Sequence, residues 1–377
     1  MAKLVELDWS GIEAVLVGWL SRDPDFIRLS WLGVHDFLCS HAVGKPASLD
    51  QPIDDLLRYF AEIKKLHPIE RDQAKRIVHG TDYLESPAGV YKRFRKLFHS
   101  LRDAERLQAL YYSIAPKLRP WQNATVELAA SQGFLGGAGS PCPPFHPFGY
   151  RHEFYDIYNY RQVTAAEAIR LRRFNRPTTN MNGRSYAIVL GDDAKRAVAF
   201  GPQSIAAGII RETSLRLYDP EAPNFIGDLF FGRTPLRAII HDSFLNEVQD
   251  RYVDRLIERS CAEMTRMMEE LPLPPEWGLG PFLQFGVEVK VGQDWASMKK
   301  VPVPQPWLAL LKGRPDDPAA MLLDLGDRAS VDEMEDPETI DDTFAERDVF
   351  EFDSPFGRTA VAYTEGVGAE SESDIPF

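Results

Sequence analysis

Cysteine is scarce: Cys39, Cys142 and Cys261 are the only three in 377 residues. They are odd in number, far apart and in no metal-ligand spacing, so they indicate neither a disulfide framework nor a zinc site and read as reduced core thiols. No apolar run reaches the length that a membrane span needs, and the first residues lack the basic and apolar stretches of a signal sequence. A soluble, cytoplasmic protein without a membrane partner is expected. Positive charge is also short, since 43 Lys+Arg against 56 Asp+Glu leave a net of -13. That balance argues against a protein that holds nucleic acid, because phosphate neutralisation needs Lys and Arg. Dividing the chain removes the conflict. Residues 301 to 377 carry 5 Lys+Arg and 19 Asp+Glu, a net of -14, so the remainder is close to neutral at +1. A near-neutral body has room for a basic cleft opposite an acidic back.

The length is enough to bury a full core and to hold two domains. An apolar strand over Lys3 to Leu7 passes into a helix from Gly11 to about Leu20, with Ile12, Val15, Leu16 and Trp19 at helical spacing, and this puts Asp8 at a strand-to-helix turn. Further helices are expected over Asp54 to Leu66, from His67-Pro68 to before Pro87, over the basic stretch Tyr91 to Leu110, and from Pro116 to Ser131. Gly and Pro dominate Gly136 to Pro147, which reads as a loop, and an aromatic stretch follows from Tyr150 to Tyr160. Gln203 to Leu217 and Arg251 to Leu271 read as helices, Leu236 to Val248 as a strand pair, and Phe285 to Val291 as a strand. No internal repeat is found. After Val301 the composition turns to Pro, Asp, Glu and Gly, for which disorder is the default expectation.

Three short segments carry chemistry: Asp8-Trp9-Ser10-Gly11-Ile12-Glu13, Arg71 to Tyr83, and His241-Asp242-Ser243. Nucleotidyl transfer from a nucleoside triphosphate uses two divalent metals about 4 Å apart, and two carboxylates on neighbouring strands are their minimum holder. Asp8 and Asp242 suit that task. An Asp after a strand also serves as a plain helix N-cap, whereas an Asp within the apolar run Ile239 to Leu245 is harder to dismiss, because burying a lone charge is costly. Arg71, Lys75, His79 and Tyr83 recur every four residues and drift only about 40° per step on a helix, so they share one broad face. That face can meet a nucleotide or simply be solvated. Arg offers a fork and Lys a point charge to phosphate.

In order and separation these segments resemble motifs A, B and C of the family A (DNA polymerase I-like) DNA polymerases, over roughly residues 3 to 300. The resemblance implies an α+β fold. Its palm, an antiparallel sheet with helices behind, would span residues 1–29 and 190–300, with helical fingers over about 30–135, an insertion over about 136–193, and an acidic, disordered tail over 301–377. It implies template-directed DNA synthesis with primer-template DNA and dNTPs as partners. Two Mg2+ ions, replaceable by Mn2+, would sit on Asp8, Asp242 and the backbone carbonyl of Trp9. Arg71 and Lys75 would grip the triphosphate, His79 would lie under base and sugar, Gly80 would give close approach, and Tyr83 would sit by the template base. Glu13 matches the steric gate that blocks a ribose 2′-hydroxyl and hydrogen-bonds to the helix tyrosine, although a surface Glu is the bland alternative. Gly33-Val34-His35 resembles the segment whose His touches the triphosphate. Gln203 resembles the minor-groove reader of primer-template, and His241 would touch the primer end. The chain departs from the family at His79 (Phe or Tyr), Leu84 (Gly), Gly33 (Asp) and Ser243 (Glu).

Members of the family place a thumb and usually an exonuclease domain before the first motif, whereas seven residues precede Asp8 here. The resemblance therefore implies a split, viral enzyme whose second polypeptide carries the thumb and exonuclease elements. The C-terminus, with Asp374, Ile375, Pro376 and Phe377, resembles the acidic tip of bacterial single-stranded-DNA-binding proteins and would dock on a replication protein through its terminal Phe and carboxylate. Two alternatives stand beside this reading: a single-subunit-type RNA polymerase, which lacks the equivalent of Glu13, and a non-catalytic replisome scaffold that displays the tail.

Overall fold

The structure is a computed structural model that describes residues 2–137, 146–173, 177–227 and 234–312. The chain opens on β1 (Ala2–Ser10), in which Val5, Leu7 and Trp9 are buried while Glu6 and Asp8 between them are half-buried. That period of two is what one covered sheet face imposes. Gly11, at φ 62, turns the chain into α1 (Ile12–Leu20). Seven more helices follow: α2 (Pro24–Leu32), α3 (Val34–Ala42), α4 (Ile53–Leu66), α5 (Pro68–Asp82), α6 (Pro87–Arg93), α7 (Leu101–Ile114) and α8 (Leu118–Gln132). Phe26, Phe37, Phe60, Ile77 and Tyr111 form part of the core that α2 to α7 share.

Short strands β2 (Phe134–Gly136) and β3 (Arg151–Glu153) pair with each other. Next come β4 (Tyr158–Val163), α9 (Ala165–Arg173), β5 (Thr178–Met181) and β6 (Arg184–Leu190), a small unit with strand order β4-β6-β5. The 27-residue α10 (Asp192–Tyr218) then leads to β7 (Leu236–Ile240), β8 (Ser243–Gln249), α11 (Val253–Met264), β9 (Met268–Pro272), β10 (Phe282–Leu283), β11 (Gly286–Gly292), β12 (Lys299–Val301) and α12 (Pro306–Lys312). The main sheet has the order β12-β11-β1-β8-β7 with every pairing antiparallel. Its Val5, Leu7, Trp9, Phe244, Val287 and Val289 pack with Ile12, Ile205, Ile209 and Leu256, so helices cover one face only.

The fold is thus α+β with antiparallel sheets, as expected, and five local expectations are corrected. Asp8 lies inside β1 rather than at its end, because the strand runs on to Ser10. His241 and Asp242 are the two turn residues between Ile240 and Ser243, not part of a strand; His241 adopts φ 53, which lets so tight a turn close. The basic stretch from Tyr91 does not make one helix: α6 ends at Arg93, and Ser100 caps the start of α7 through a hydrogen bond from the Asp103 N–H. The helix expected through Leu271 stops at Met264, since Met268–Pro272 pairs with β10. Beyond Val301, α12 packs Trp307 into the main core, stacked on Trp31 at 6.2 Å, so these residues do not fit the expectation of disorder. Residues 313–377, which include Asp374, Ile375, Pro376 and Phe377, lie outside the described residues, as does Cys142.

Leu84 follows α5 at φ 61, a conformation that costs a side-chain-bearing residue about 1–2 kcal/mol. Burial among Val126, Ala129 and Leu135 offsets that strain. Truncating it to Ala removes the offset and keeps the strain, whereas Gly removes both. Leu84→Gly is therefore expected to be at least as stable as Leu84→Ala, by about 1 kcal/mol, in equilibrium denaturation. A Gly variant less stable than the Ala variant, as in an ordinary helix interior, would contradict the left-handed assignment.

Candidate active site

Alternation along β1 sends Trp9 into the core and Asp8 to the opposite face. Trp9 is held there by its indole N–H, which donates to the Met264 carbonyl at 2.9 Å, and by an edge-on contact with Phe244 at 5.4 Å. Across the strands Asp8 is flanked by Ser243 on β8 and Glu288 on β11, and Glu6 by Lys290. Residues directly opposite share a face, so Asp8, Ser243, Glu288, Glu6 and Lys290 stand on one face of the main sheet, with Leu4 and Leu245 beside them. Lys290 is ion-paired with Glu6 at 2.8 Å, and Lys300 with Glu288 at 2.7 Å.

The turn after β7 brings Asp242 onto this face. Its carbonyl accepts from the Trp9 N–H at 3.2 Å, and its side chain hydrogen-bonds to that of Asp8. Burial, then the charge and hydrogen bond of Asp242, push the Asp8 carboxyl up to about 7, against the opposing pull of Lys290. The N–H and C=O of one strand residue point the same way, so the Trp9 carbonyl also faces the turn. Among the described residues no group of three or more His, Cys, Asp or Glu side chains is arranged to hold a metal. Two carboxylates and a carbonyl are nevertheless hard oxygen donors, and a divalent cation is the species that removes the repulsion between them. The donor set fits Mg2+ or Mn2+, with remaining positions open to substrate and water oxygens.

A second cluster forms on α3 and α5. The Arg71 Nε lies 2.5 Å from Asp36 Oδ1, while Lys75, one turn further on, is exposed. The rings of His35 and His79 stand 5.2 Å apart, tilted by 37°. Burial, with His79, Arg71 and Lys75 nearby, holds His35 well below the usual imidazole range. Burial, with Lys75 and Arg76, pushes His79 down to about 4. The buried His35 Nε2 has no hydrogen-bond partner. Two neutral imidazoles beside the cations Arg71 and Lys75 make a cluster that an anion would suit.

At the end of α5 the Tyr83 hydroxyl donates to Glu13 Oε2 on α1. Behind it Tyr111 donates to the buried Asp82 at 2.6 Å, and Gln122 Nε2 donates to the carbonyls of Thr81 at 2.6 Å and Asp82 at 3.2 Å. Gly80 is corrected: a Cβ there would meet Val90 at 2.8 Å, so the glycine serves the packing of α6 rather than approach to a nucleotide. The fold therefore joins Asp8 with Asp242, His35 with Arg71, Lys75 and His79, and Glu13 with Tyr83. Gln203 is exposed on α10, and His241 is exposed in the turn beside Asp242. The sequence did not point to Asp36, Lys290 or the Asp82–Tyr111 pair. Their partners lie 29 residues or more away along the chain, beyond any local pattern.

No protein family's sequence profile matches the chain, and no curated protein does. Among solved structures the chain is similar to the POL domain of Pol1 from M. smegmatis in complex with DNA primer-template and dNTP, at 18% identity and a TM-score of 0.49. The match covers 78% of this chain and 40% of that one. A likeness of this degree leaves the activity to be argued from the chain's own residues.

Because the folded state raises the Asp8 pKa from 3.8 to about 7, folding binds a proton there and its stability cost grows as pH climbs through that window. Asp242→Asn removes the neighbouring charge. In metal-free buffer at pH 8 the variant is expected to melt ~2–4 °C above wild type, and at pH 5, where Asp8 is protonated, the gain should vanish. A variant that melts no higher at pH 8 would show that the two carboxylates do not repel.

Proposed function

We propose that the chain is the palm and fingers of a template-directed, family A-like DNA polymerase that transfers a nucleotidyl group from a dNTP to a primer 3′ end. The observation that carries this reading is the convergence of Asp8 and Asp242 on the open face of an antiparallel sheet. In the proposed reaction the primer O3′ forms a bond to the α-phosphorus, the α–β bridge breaks, and pyrophosphate leaves. A divalent metal held by Asp8, Asp242 and the Trp9 carbonyl would supply acidity to the primer hydroxyl and positive charge to the triphosphate. The protein's own groups bind and orient. Arg71 grips phosphate as a fork and Lys75 as a point charge, and the His35 Nε2 donates to a phosphate oxygen. His79 presents a planar ring to the nucleotide. Gln203 and His241 contact the primer-template.

The Glu13–Tyr83 hydrogen bond favours DNA over RNA synthesis. It keeps a carboxylate and a ring across the place where a 2′-hydroxyl would have to lie, so a ribonucleotide meets both a clash and an unpaired polar group.

Primer extension by the full chain with dNTPs and rNTPs tests the reading. Asp8→Asn or Asp242→Asn should abolish incorporation while leaving DNA binding in place, and Glu13→Ala should raise ribonucleotide insertion by about ten-fold or more relative to deoxyribonucleotide insertion. Incorporation that survives in either Asn variant would sink the proposal. Unchanged sugar discrimination in the Ala variant would remove Glu13 from the gate.

A further inference from the structure

The proposed polymerase site makes no use of the unit formed by β4, α9, β5 and β6. Its composition is unlike that of the whole chain. Residues 158–190 contain six Arg (Arg161, Arg170, Arg172, Arg173, Arg176 and Arg184) and a single acid, Glu167, in a protein of net charge -13. Glu167 is itself ion-paired with Arg161 at 3.2 Å.

The strand register separates the two faces of its sheet. Val163, Ala187 and Val189 point to one side, where Ala168 and Leu171 of α9 join them in a small core. The residues that alternate with these, Tyr160, Gln162, Tyr186, Ile188, Met181 and Arg184, point to the other side. That side is accessible: Tyr160 is 53% and Met181 38% exposed, and Gln162 and Arg184 are exposed as well. Tyr160 lies opposite Ile188, and Tyr186 opposite Gln162, so the two phenol rings are diagonal neighbours on adjacent strands, about 7–8 Å apart by sheet geometry. Arg184 pairs with Met181 at the end of the β5–β6 hairpin.

We infer that this face binds single-stranded DNA, with bases stacked on Tyr160 and Tyr186 and a phosphate neutralised by Arg184, while α9 and its arginines back the sheet from the other side. An exposed ring, Tyr160, beside a half-buried one, Tyr186, with the exposed Arg184 and no acid on the same face, suits a single strand, because every base has a π-face to stack and each phosphate favours a positive partner. A protein partner would have to answer the same charge with an acidic surface, but the rings favour flat, unpaired bases. The unit also leads directly into the helix that carries Gln203. β6 ends at Leu190 and α10 begins at Asp192, so Gln203 is reached about 16 Å along that helix. The choice of DNA over RNA rests on the proposed polymerase activity; the binding face does not.

The test is fluorescence anisotropy of the full chain with a labelled oligo-dT, over a range of salt concentrations, with thermal melting as the check of folding. Replacing Tyr160 and Tyr186 together by Ala should weaken binding by about five-fold or more for each ring. Replacing both by Phe should leave binding within about two-fold of wild type, since the π-faces remain. Arg184→Gln should weaken binding and flatten its salt dependence by about one phosphate contact. If the Ala pair melts early, the Phe pair and Arg184→Gln decide. Wild-type affinity in a folded Ala pair, equal losses in the Ala and Phe pairs, or an unchanged salt slope in Arg184→Gln would each overturn the inference, and so would tighter binding of a matched oligo-rU. Binding is read without catalysis. A chain that holds oligo-dT through these rings but incorporates no nucleotide would leave the inference standing and remove the polymerase reading.

Discussion

Two like charges held together are the constraint around which this molecule is arranged. Asp8 and Asp242 would separate in water, and they stay in contact because each is fixed by something that cannot move. Asp8 is set by its neighbour in sequence, since Trp9 fills the core against Phe244 and Met264 and strand alternation leaves Asp8 only the opposite face. Asp242 is set by the β7–β8 turn, whose carbonyl bond to the Trp9 N–H locks the turn against β1. The resulting repulsion, added to burial, lifts Asp8 to about 7. The molecule therefore holds near neutral pH a carboxylate whose ionisation a cation would favour.

The cluster on α3 and α5 has the opposite character. Arg71 and Lys75 stand beside His35, and Lys75 and Arg76 beside His79, and burial together with these cations holds both imidazoles below the usual range. A phosphate would reverse that balance, drawing a proton onto an imidazole and giving the orphaned His35 Nε2 a partner. One group prefers a cation and the other an anion, and the Glu13–Tyr83 bond joins the helices that lead to each. A triphosphate with its metal satisfies both, which is why nucleotidyl transfer suits this geometry better than a scaffold would.

Much of the arrangement was legible in the sequence where local periodicity governs. The strand over Lys3 to Leu7 and the four-residue repeat of Arg71, Lys75, His79 and Tyr83 were readable from spacing, whereas the facing of Asp8 was not, since the strand runs on to Ser10 and Asp8 alternates within it. The place of the β7–β8 turn was not readable either, because His241-Asp242 carries no Gly or Asn and falls between Ile240 and Ser243 inside a largely apolar run; only the φ of 53 at His241 shows how it closes. Leu84 was legible as a departure but not as a strain, since a left-handed residue is not encoded by residue type once Gly is absent. The Asp36 partner of Arg71 and the Gln122 bonds to the end of α5 depend on tertiary approach between helices 35 to 41 residues apart. The arginine-rich unit at residues 158–190 falls within the segment expected as an insertion, and its aromatic face appears only when strand register is known.

If Asp8 and Asp242 form one cation site completed by nucleotide, a bound cation should report on both. Electron paramagnetic resonance of Mn2+ with the full chain measures that binding directly. Mn2+ binding to wild type is expected to strengthen when a dNTP is added, and both the binding and its strengthening are expected to be lost in Asp8→Asn. Mn2+ bound equally well by wild type and variant, or bound with no response to dNTP, would contradict such a site.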